Sequence, residues 1–520
     1  MITETTWIEL PDGRRLAARL WLPDDARKRP APAILEYLPY RQSDGTAERD
    51  ASNYEVFAEA GYAGVRVDIA GNGDSDGYMS DEYLEDELAS GEEVIEWIAA
   101  QPWCSGAVGM IGISWGGFNG LQIAMRRPPA LRAIVTVCST DDRYRRETHY
   151  IGGCVLIDNF TWGAQMTAFT CRPPDPIVRD DWREVWIDRM QRLPFLAANW
   201  LRHQQHGAYW KHGSVCEDWD AIGCAVLAVG GWADSYSDTP PVLVEHLSAP
   251  TKAIVGPWEH RYPHLAKVGP RGDFHGEVIR WFDRWLKGKQ NGAESLPAYR
   301  AYIQEHDEPS PKLKERLGRW IAETSWPPDA PPLTLYLKPG ALAVEPDIAS
   351  QQVTLRSPQN TGAAAGNYCP GMRVDDELPD DQRRDDEKSI CFDGDPLSES
   401  LEILGAPEVD IEFSADSPRA QLAFRLCDVA PDGASDRVSF IVCNLTHHTS
   451  HQRAVDLMPG RRYRLRIPLR HCGHRFSAGH RVRLAASTAY WPTVWPAQSM
   501  ASVNLHLENC RLILPQRRAQ

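Results

Sequence analysis

Apolar and polar positions change rhythm along the chain, and the change divides it. Trp7–Leu10 and Arg15–Leu22 read as β-runs joined at Pro11-Asp12-Gly13, a turn signal, so the chain opens on a hairpin. Short apolar runs follow, each separated by a helical pattern: Ala33–Leu38, Ala63–Ile69, Val108–Ile113, Leu131–Cys138, Cys224–Gly230 and Lys252–Val255. Such alternation predicts a mostly parallel sheet covered by helices. Glu85–Ala100 is an amphipathic helix with Leu88, Val94, Ile95 and Ile98 near one face. Phe274–Lys287 is another, placing Val278, Trp281, Phe282 and Trp285 together and stopping at Gly288, a C-cap signal.

The alternation breaks between about Tyr144 and Asp218, where apolar spacing at Trp182, Val185, Trp186, Met190 and Leu193 is helical. We read this insertion as a cap over the carboxyl edge of the sheet. Beyond about residue 290 helical periodicity fades. Short β-rich runs alternate with turns, among them Leu333–Leu337, Val409–Phe413, Leu422–Leu426, Val438–Cys443, Tyr463–Ile467, Val482–Ala486 and Val503–Leu507. Many short strands with Pro/Gly punctuation predict a β-sandwich or jelly roll. The expected class is therefore α/β: residues 1–143 and 219–289 form the core, 144–218 a helical cap, and 290–520 a β jelly-roll domain. Ser357–Lys388, acidic and carrying Gly and Pro, reads as a long surface connection.

The length, 520 residues, fits several domains, and 42% hydrophobic with 24% charged residues is ordinary for a globular enzyme. The net charge of −15 disfavours nucleic acid and anionic membranes as partners. No apolar run has the length of a membrane span, and no signal peptide is seen at Met1–Thr5, so the expected location is cytoplasmic. The twelve cysteines contain no Cys-x-x-Cys pair and read as buried thiols. No zinc-ligand spacing is present; His260 and His264 stand four apart, but Pro263 breaks the helix that would align them. No metal and no cofactor is expected.

Gly112-Ile113-Ser114-Trp115-Gly116 follows an apolar strand and precedes a helical stretch. A serine on a sharp strand-to-helix turn needs small neighbours two positions away on each side, and its hydroxyl then projects from the sheet edge. A serine hydroxyl is a weak nucleophile; it needs a base, and the base needs an orienting acid. In this layout the order is serine, acid, histidine. The run Cys224–Gly231 leads into a turn ending at Asp234, with Asp238 as its rival. Thr251–Gly256 leads into a loop carrying His260, with His264 and His275 as rivals. The developing oxyanion also needs donors. One is the backbone N–H of Trp115. Tyr40, after the first parallel strand, is a candidate through its phenol, or else a packed aromatic in a turn.

At this point the chain resembles the cocaine esterase and X-prolyl dipeptidyl-peptidase superfamily of serine hydrolases. The matching residues are Pro39-Tyr40, Val67-Asp68 with Gly71–Gly77, Gly112–Gly117, Gly231–Asp234 and Gly256–His260, and in the second domain Asp428–Gly433 and Phe476–Leu484. The resemblance spans nearly the whole chain. It implies an α/β-hydrolase core with Ser114 as nucleophile, His260 as base, Asp234 as orienting acid and Tyr40 as an oxyanion donor. One departure is Ile69-Ala70 before Gly71, where the family usually carries an Arg. The carboxylates that hold a substrate ammonium in the amino-ester hydrolases have no evident counterpart; Asp158, Asp141 and Asp142 are the candidates. That leaves an acyl esterase as the leading expectation, acting on a small ester, amide or short peptide, and a homo-oligomer is compatible with it. Phe160, Trp162 and Trp232 are expected to line the substrate pocket, with Trp182, Trp186 and Trp200 either joining them or forming the cap's own core. Two alternatives stay open: an X-prolyl dipeptidyl-peptidase or amide acylase, and an inactive carbohydrate- or partner-binding protein.

Overall fold

The computed structural model describes residues 1–346, 349–372 and 377–518. The opening hairpin pairs β1 (Ile2–Glu9) with β2 (Arg15–Leu22), Ile8 opposite Leu16. Next come β3 (Ala31–Leu38), α1 (Ala47–Glu59), β4 (Ala63–Asp68), α2 (Glu85–Ala99), β5 (Cys104–Ile113), α3 (Trp115–Met125) and β6 (Leu131–Val137). An insertion carries the short pair β7 (Tyr150–Ile151) and β8 (Cys154–Val155), then α4 (Asp158–Thr170), α5 (Trp182–Arg192), α6 (Leu196–Leu201) and α7 (Ala208–Lys211). The core resumes with β9 (Ala225–Gly231), α8 (Thr239–His246), β10 (Thr251–Gly256), α9 (Phe274–Lys287) and β11 (Tyr299–Glu305).

The sheet runs in the order β1, β2, β4, β3, β5, β6, β9, β10, β11. From β4 to β11 neighbouring strands are parallel, while β1 and β2 run antiparallel at one edge. Strands sandwiched between helix layers should be apolar on both faces, and β3 and β4 are buried at every residue. The amphipathic α9 buries Phe274, Val278, Trp281 and Phe282; the Asp273 carboxylate accepts from the N–H of Gly276 at its start, and Gly288 at φ +68° ends it.

The sheet does not end near residue 290. β11 adds to β10, and the strands Cys472–Phe476 and Leu401–Gly405 then extend the same sheet from far along the chain. The strand Gly318–Glu323 also joins this sheet, antiparallel to β11, and the remaining described C-terminal strands form a second sheet around its own core, which includes Phe392, Ile411, Phe413, Phe424 and Leu484. A small cluster, including Leu156 and Ile151 of the insertion with Tyr368, Phe440 and Tyr490, joins insertion to second domain. The segment read as a surface connection differs from that expectation. Within its described residues Thr361, Ala364, Ala365, Tyr368, Cys369, Gln382 and Asp385 are buried; residues 373–376 lie outside the described part. Its backbone is satisfied by tertiary partners: Pro370 O accepts from the His260 N–H at 2.8 Å, and the Gln382 side-chain amide donates to Ala364 O at 2.8 Å.

Beneath the sheet edge Arg66 is wholly buried, with Nε 3.1 Å from Asp50 and Nη1 3.3 Å from Asp68. Removing the cation leaves Asp50 to Arg49 and takes from the buried Asp68 its ion-pair partner in low dielectric, a cost of about 3–5 kcal/mol. Arg66→Leu is therefore expected to lower the thermal and urea midpoints clearly; unchanged midpoints would contradict this role.

Candidate active site

Ser114 sits between β5 and α3 at φ +57°, ψ −126°, a backbone conformation that costs a non-glycine residue of order 1–3 kcal/mol. The turn is held by the Ser114 N–H donating to Val137 O at 2.9 Å and the Ser114 carbonyl accepting from the Phe118 N–H at 2.9 Å. The glycines are required by space. A Cβ on Gly112 would lie 2.3 Å from the Gly116 carbonyl carbon, and one on Gly116 would lie 2.9 Å from Leu38. The Trp115 indole is locked by donating to the Glu87 carboxylate at 2.6 Å.

Asp234 and His260 end the loops after β9 and β10, two neighbouring parallel strands. His260 Nδ1 lies 2.8 Å from Asp234 Oδ1, and both side chains are buried. That bond occupies Nδ1 and leaves Nε2 as the other ring nitrogen. Burial disfavours the imidazolium, and the Asp234 carboxylate beside the ring works against it and holds the His260 pKa above the ordinary histidine value. Two cysteines flank the pair. Cys369 Sγ is 4.0 Å from Asp234 Oδ1, and ligand atoms of Cys138, Asp234 and His260 lie within 4.8 Å of one another. Burial pushes both thiols up, so they remain protonated at neutral pH.

The Tyr40 phenol donates to Ser114 Oγ at 3.4 Å and lies beside the Trp115 backbone N–H. Its ring stacks on Phe169 at 5.4 Å and meets Trp162 edge-on at 6.3 Å. Burial raises its pKa to about 12, so it stays an O–H donor through the neutral range.

Ser114 and His260 together line two adjoining cavities. The smaller, about 60 Å³, also meets Phe118, Trp162, Tyr236, Cys369, Glu147 and Asp158. The larger, about 370 Å³, is bounded by Tyr40, Phe169, Tyr262, Leu265 and Met372. Glu147 is charge-matched: its carboxylate lies 2.9 Å from His149 Nε2, which also meets Glu82 at 2.9 Å. Burial works against the His149 charge, but Glu147 and Glu82 hold its pKa up at about 10.

The rival residues lie elsewhere. Asp238 accepts from the backbone N–H and Nδ1 of His471 in the second domain. His264 packs on Phe274 and His275, and His275 Nε2 meets Asn53 at 2.9 Å. Asp141 pairs with Arg146, and Asp142 accepts the N–H groups of Tyr144 and Arg145, so of the three candidate carboxylates only Asp158 reaches the cavity. Of the expected pocket aromatics, Trp162 lines the smaller cavity. Phe160 is half exposed and lines neither, because it faces outward from α4. Trp232 also lines neither: its indole donates to Tyr302 O at 2.6 Å, toward β11. Trp182 and Trp186 stack on each other, and Trp200 packs on His149. Glu147, Cys138, Cys369 and Met372 went unforeseen. Cys138 had a signal, since it closes β6 on the edge where Ser114 closes β5; the stretch around Cys369 had none.

Comparison with known proteins adds the family. The sequence profile of X-Pro dipeptidyl-peptidase (S15 family) matches residues 12–262, and that of the X-Pro dipeptidyl-peptidase C-terminal non-catalytic domain matches residues 291–519. Cocaine esterase from Rhodococcus sp. (strain MB1 Bresler) is 24% identical, covering 94% of this chain and 91% of that protein. A putative Xaa-Pro dipeptidyl-peptidase from Streptomyces avermitilis is 22% identical, covering 99% of this chain and 83% of that protein. Among solved structures, an aminopeptidase from the marine sediment archaeon Thaumarchaeota archaeon superposes with a TM-score of 0.81 at 18% identity, covering 99% of this chain and 96% of that one. With matches over both halves, the chain belongs to the S15 family of serine hydrolases, which holds the cocaine esterases and X-Pro dipeptidyl-peptidases.

Proposed function

We propose that this chain is an acyl esterase working through Ser114, His260 and Asp234 and a covalent acyl-enzyme. The observation that carries the reading is the 2.8 Å bond of Asp234 to His260, with the His260 ring lining the same two cavities as a serine held at positive φ. Ser114 Oγ attacks the substrate carbonyl carbon while His260 Nε2 takes its proton. Asp234 holds the ring tautomer and stabilises the imidazolium. The new oxyanion lies between the Tyr40 O–H and the Trp115 N–H, donors already fixed before the charge forms. His260 then protonates the leaving alcohol. Water attacks the acyl-enzyme with the same histidine as base, regenerating Ser114. In this reading α4 to α7 cap the site, the C-terminal strands are a jelly roll packed against it, and the smaller cavity takes the acyl group.

A second reading has a specific support. Glu147 and Asp158 on the cavity wall suit a substrate ammonium, which would favour amino-acid esters or short peptides. The pairing of Glu147 with His149 argues for an uncharged acyl group instead. Turnover of short p-nitrophenyl esters against X-Pro-anilides separates the two: preference for the anilides would overturn the esterase reading.

Ser114→Ala is expected to abolish both turnover and labelling by a fluorophosphonate; labelling retained in the variant would move the nucleophile elsewhere. Tyr40→Phe keeps the ring packing and removes one donor, so kcat should fall by about 10²–10³ with little change in melting temperature. A kcat within a few-fold of wild type would exclude the phenol. Because His260 must lose its proton to act as base, the raised pKa displaces the rising limb of kcat/KM to higher pH. The limb should lie above the ordinary histidine value of about 6.5; a limb at or below it would contradict the assignment.

A further inference from the structure

A second cluster of ligating side chains lies far along the chain from the triad, where the first sheet receives strands of the second domain. His306 follows directly on β11, Asp428 lies in the strand Gln421–Val429, and His480 lies in the turn before the strand Arg481–Ser487. One ligand atom from each falls within 4.8 Å of the others. Asp428 is fully buried, and His306 and His480 are each 14% exposed, so the cluster lies just beneath the surface.

The polar bookkeeping of the cluster is unequal. Asp428 Oδ1 is 2.8 Å from His480 Nδ1, and Oδ2 is 2.8 Å from Nε2 of a third histidine, His474. His306 Nδ1 is buried with no hydrogen-bond partner among the described residues, 4.0 Å from Asp428 Oδ2. A buried ring nitrogen facing a carboxylate without bonding to it is costly, and a shared cation would satisfy both. Zinc bonds to nitrogen and oxygen of about 2.0–2.2 Å place tetrahedral ligand atoms about 3.3–3.5 Å apart. The 2.8 Å separation of His480 Nδ1 from Asp428 Oδ1 and the 4.0 Å separation of His306 Nδ1 from Asp428 Oδ2 lie on either side of that spacing, one at each oxygen of the carboxylate.

We propose that His306, Asp428 and His480 form a binding site for one divalent transition-metal cation, zinc being the probe. A set of two imidazoles and one carboxylate suits such ions rather than calcium or magnesium, which prefer oxygen ligands throughout. His474 stands behind Asp428 and fixes the carboxylate, as outer-shell partners of metal ligands do. The fourth position is left for water. A bound ion would tie the end of β11 in the first sheet to the strand and turn of the second domain, and so act as a staple between them.

The full chain, freed of metal by chelator and titrated with zinc in a calorimeter, tests the site. One zinc per chain is expected, with tetrahedral visible bands when cobalt(II) is used instead and a melting temperature that rises with zinc. His306→Gln should weaken binding by about 100-fold or more, beyond the loss of an outer-shell partner, and should remove the thermal effect. His306 is near-surface and at a strand end, so this variant is expected to fold; His480→Gln is the second probe. Cys138→Ser separates this site from the thiol beside His260 and should leave the zinc stoichiometry unchanged. Absence of stoichiometric binding in the wild type, or binding that survives His306→Gln, or binding abolished by Cys138→Ser, would overturn the proposal.

Discussion

The buried hydrogen bond between His260 Nδ1 and Asp234 Oδ1 is the contact on which the rest converges. Two residues twenty-six positions apart meet because β9 and β10 are parallel neighbours and end on the same edge. The first domain does not hold this pair unaided. Pro370 accepts the backbone N–H of His260, and the Arg470 guanidinium donates to the backbone carbonyl of Asp234. Arg470 also donates to Ser237 at 2.8 Å. Both partners come from the C-terminal half. The second domain is thus a structural component of the site, which accounts physically for strands of that half entering the first sheet.

The same logic runs through the surrounding polar groups. Charges are buried here in compensated sets: Arg66 among Asp50 and Asp68, and His149 between Glu82 and Glu147. Each set is costly to break and tolerable only when complete. The Tyr40 phenol and the protonated thiols of Cys138 and Cys369 are neutral near pH 7, so Asp234 and His260 face no competing fixed charge from them. Rings of Phe169 and Trp162 against Tyr40 keep its O–H aimed at the serine. Preorganisation of this kind matters because donors already in place need not reorganise when charge develops.

Much of the first domain was legible in its residue pattern. α9 follows its 3.6-residue period and its caps, and the buried strands follow their continuous apolar runs, since both patterns report local burial directly. Ser114 was legible because glycine spacing encodes a close backbone approach, seen here as the short distance a Cβ on Gly112 would make to Gly116. Asp234 could be preferred over Asp238 only through family resemblance, since both are acids in one loop. What separates them is His471, which occupies Asp238 from 233 residues away. The stretch 367–372 was unreadable for the same reason: it has no periodicity, and its burial comes from packing between domains. Trp232 was misjudged because an aromatic in the loop after a core strand carries no sign of which way its ring turns.

The most direct test of the convergence of these positions is a crystal structure of the chain after reaction with a small fluorophosphonate. The account predicts phosphorus bonded to Ser114 Oγ, one phosphonyl oxygen between the Tyr40 O–H and the Trp115 N–H, and the His260 ring facing Ser114 with Asp234 behind it. An adduct on another residue, or an imidazole turned away from Ser114 with its bond to Asp234 broken, would contradict it.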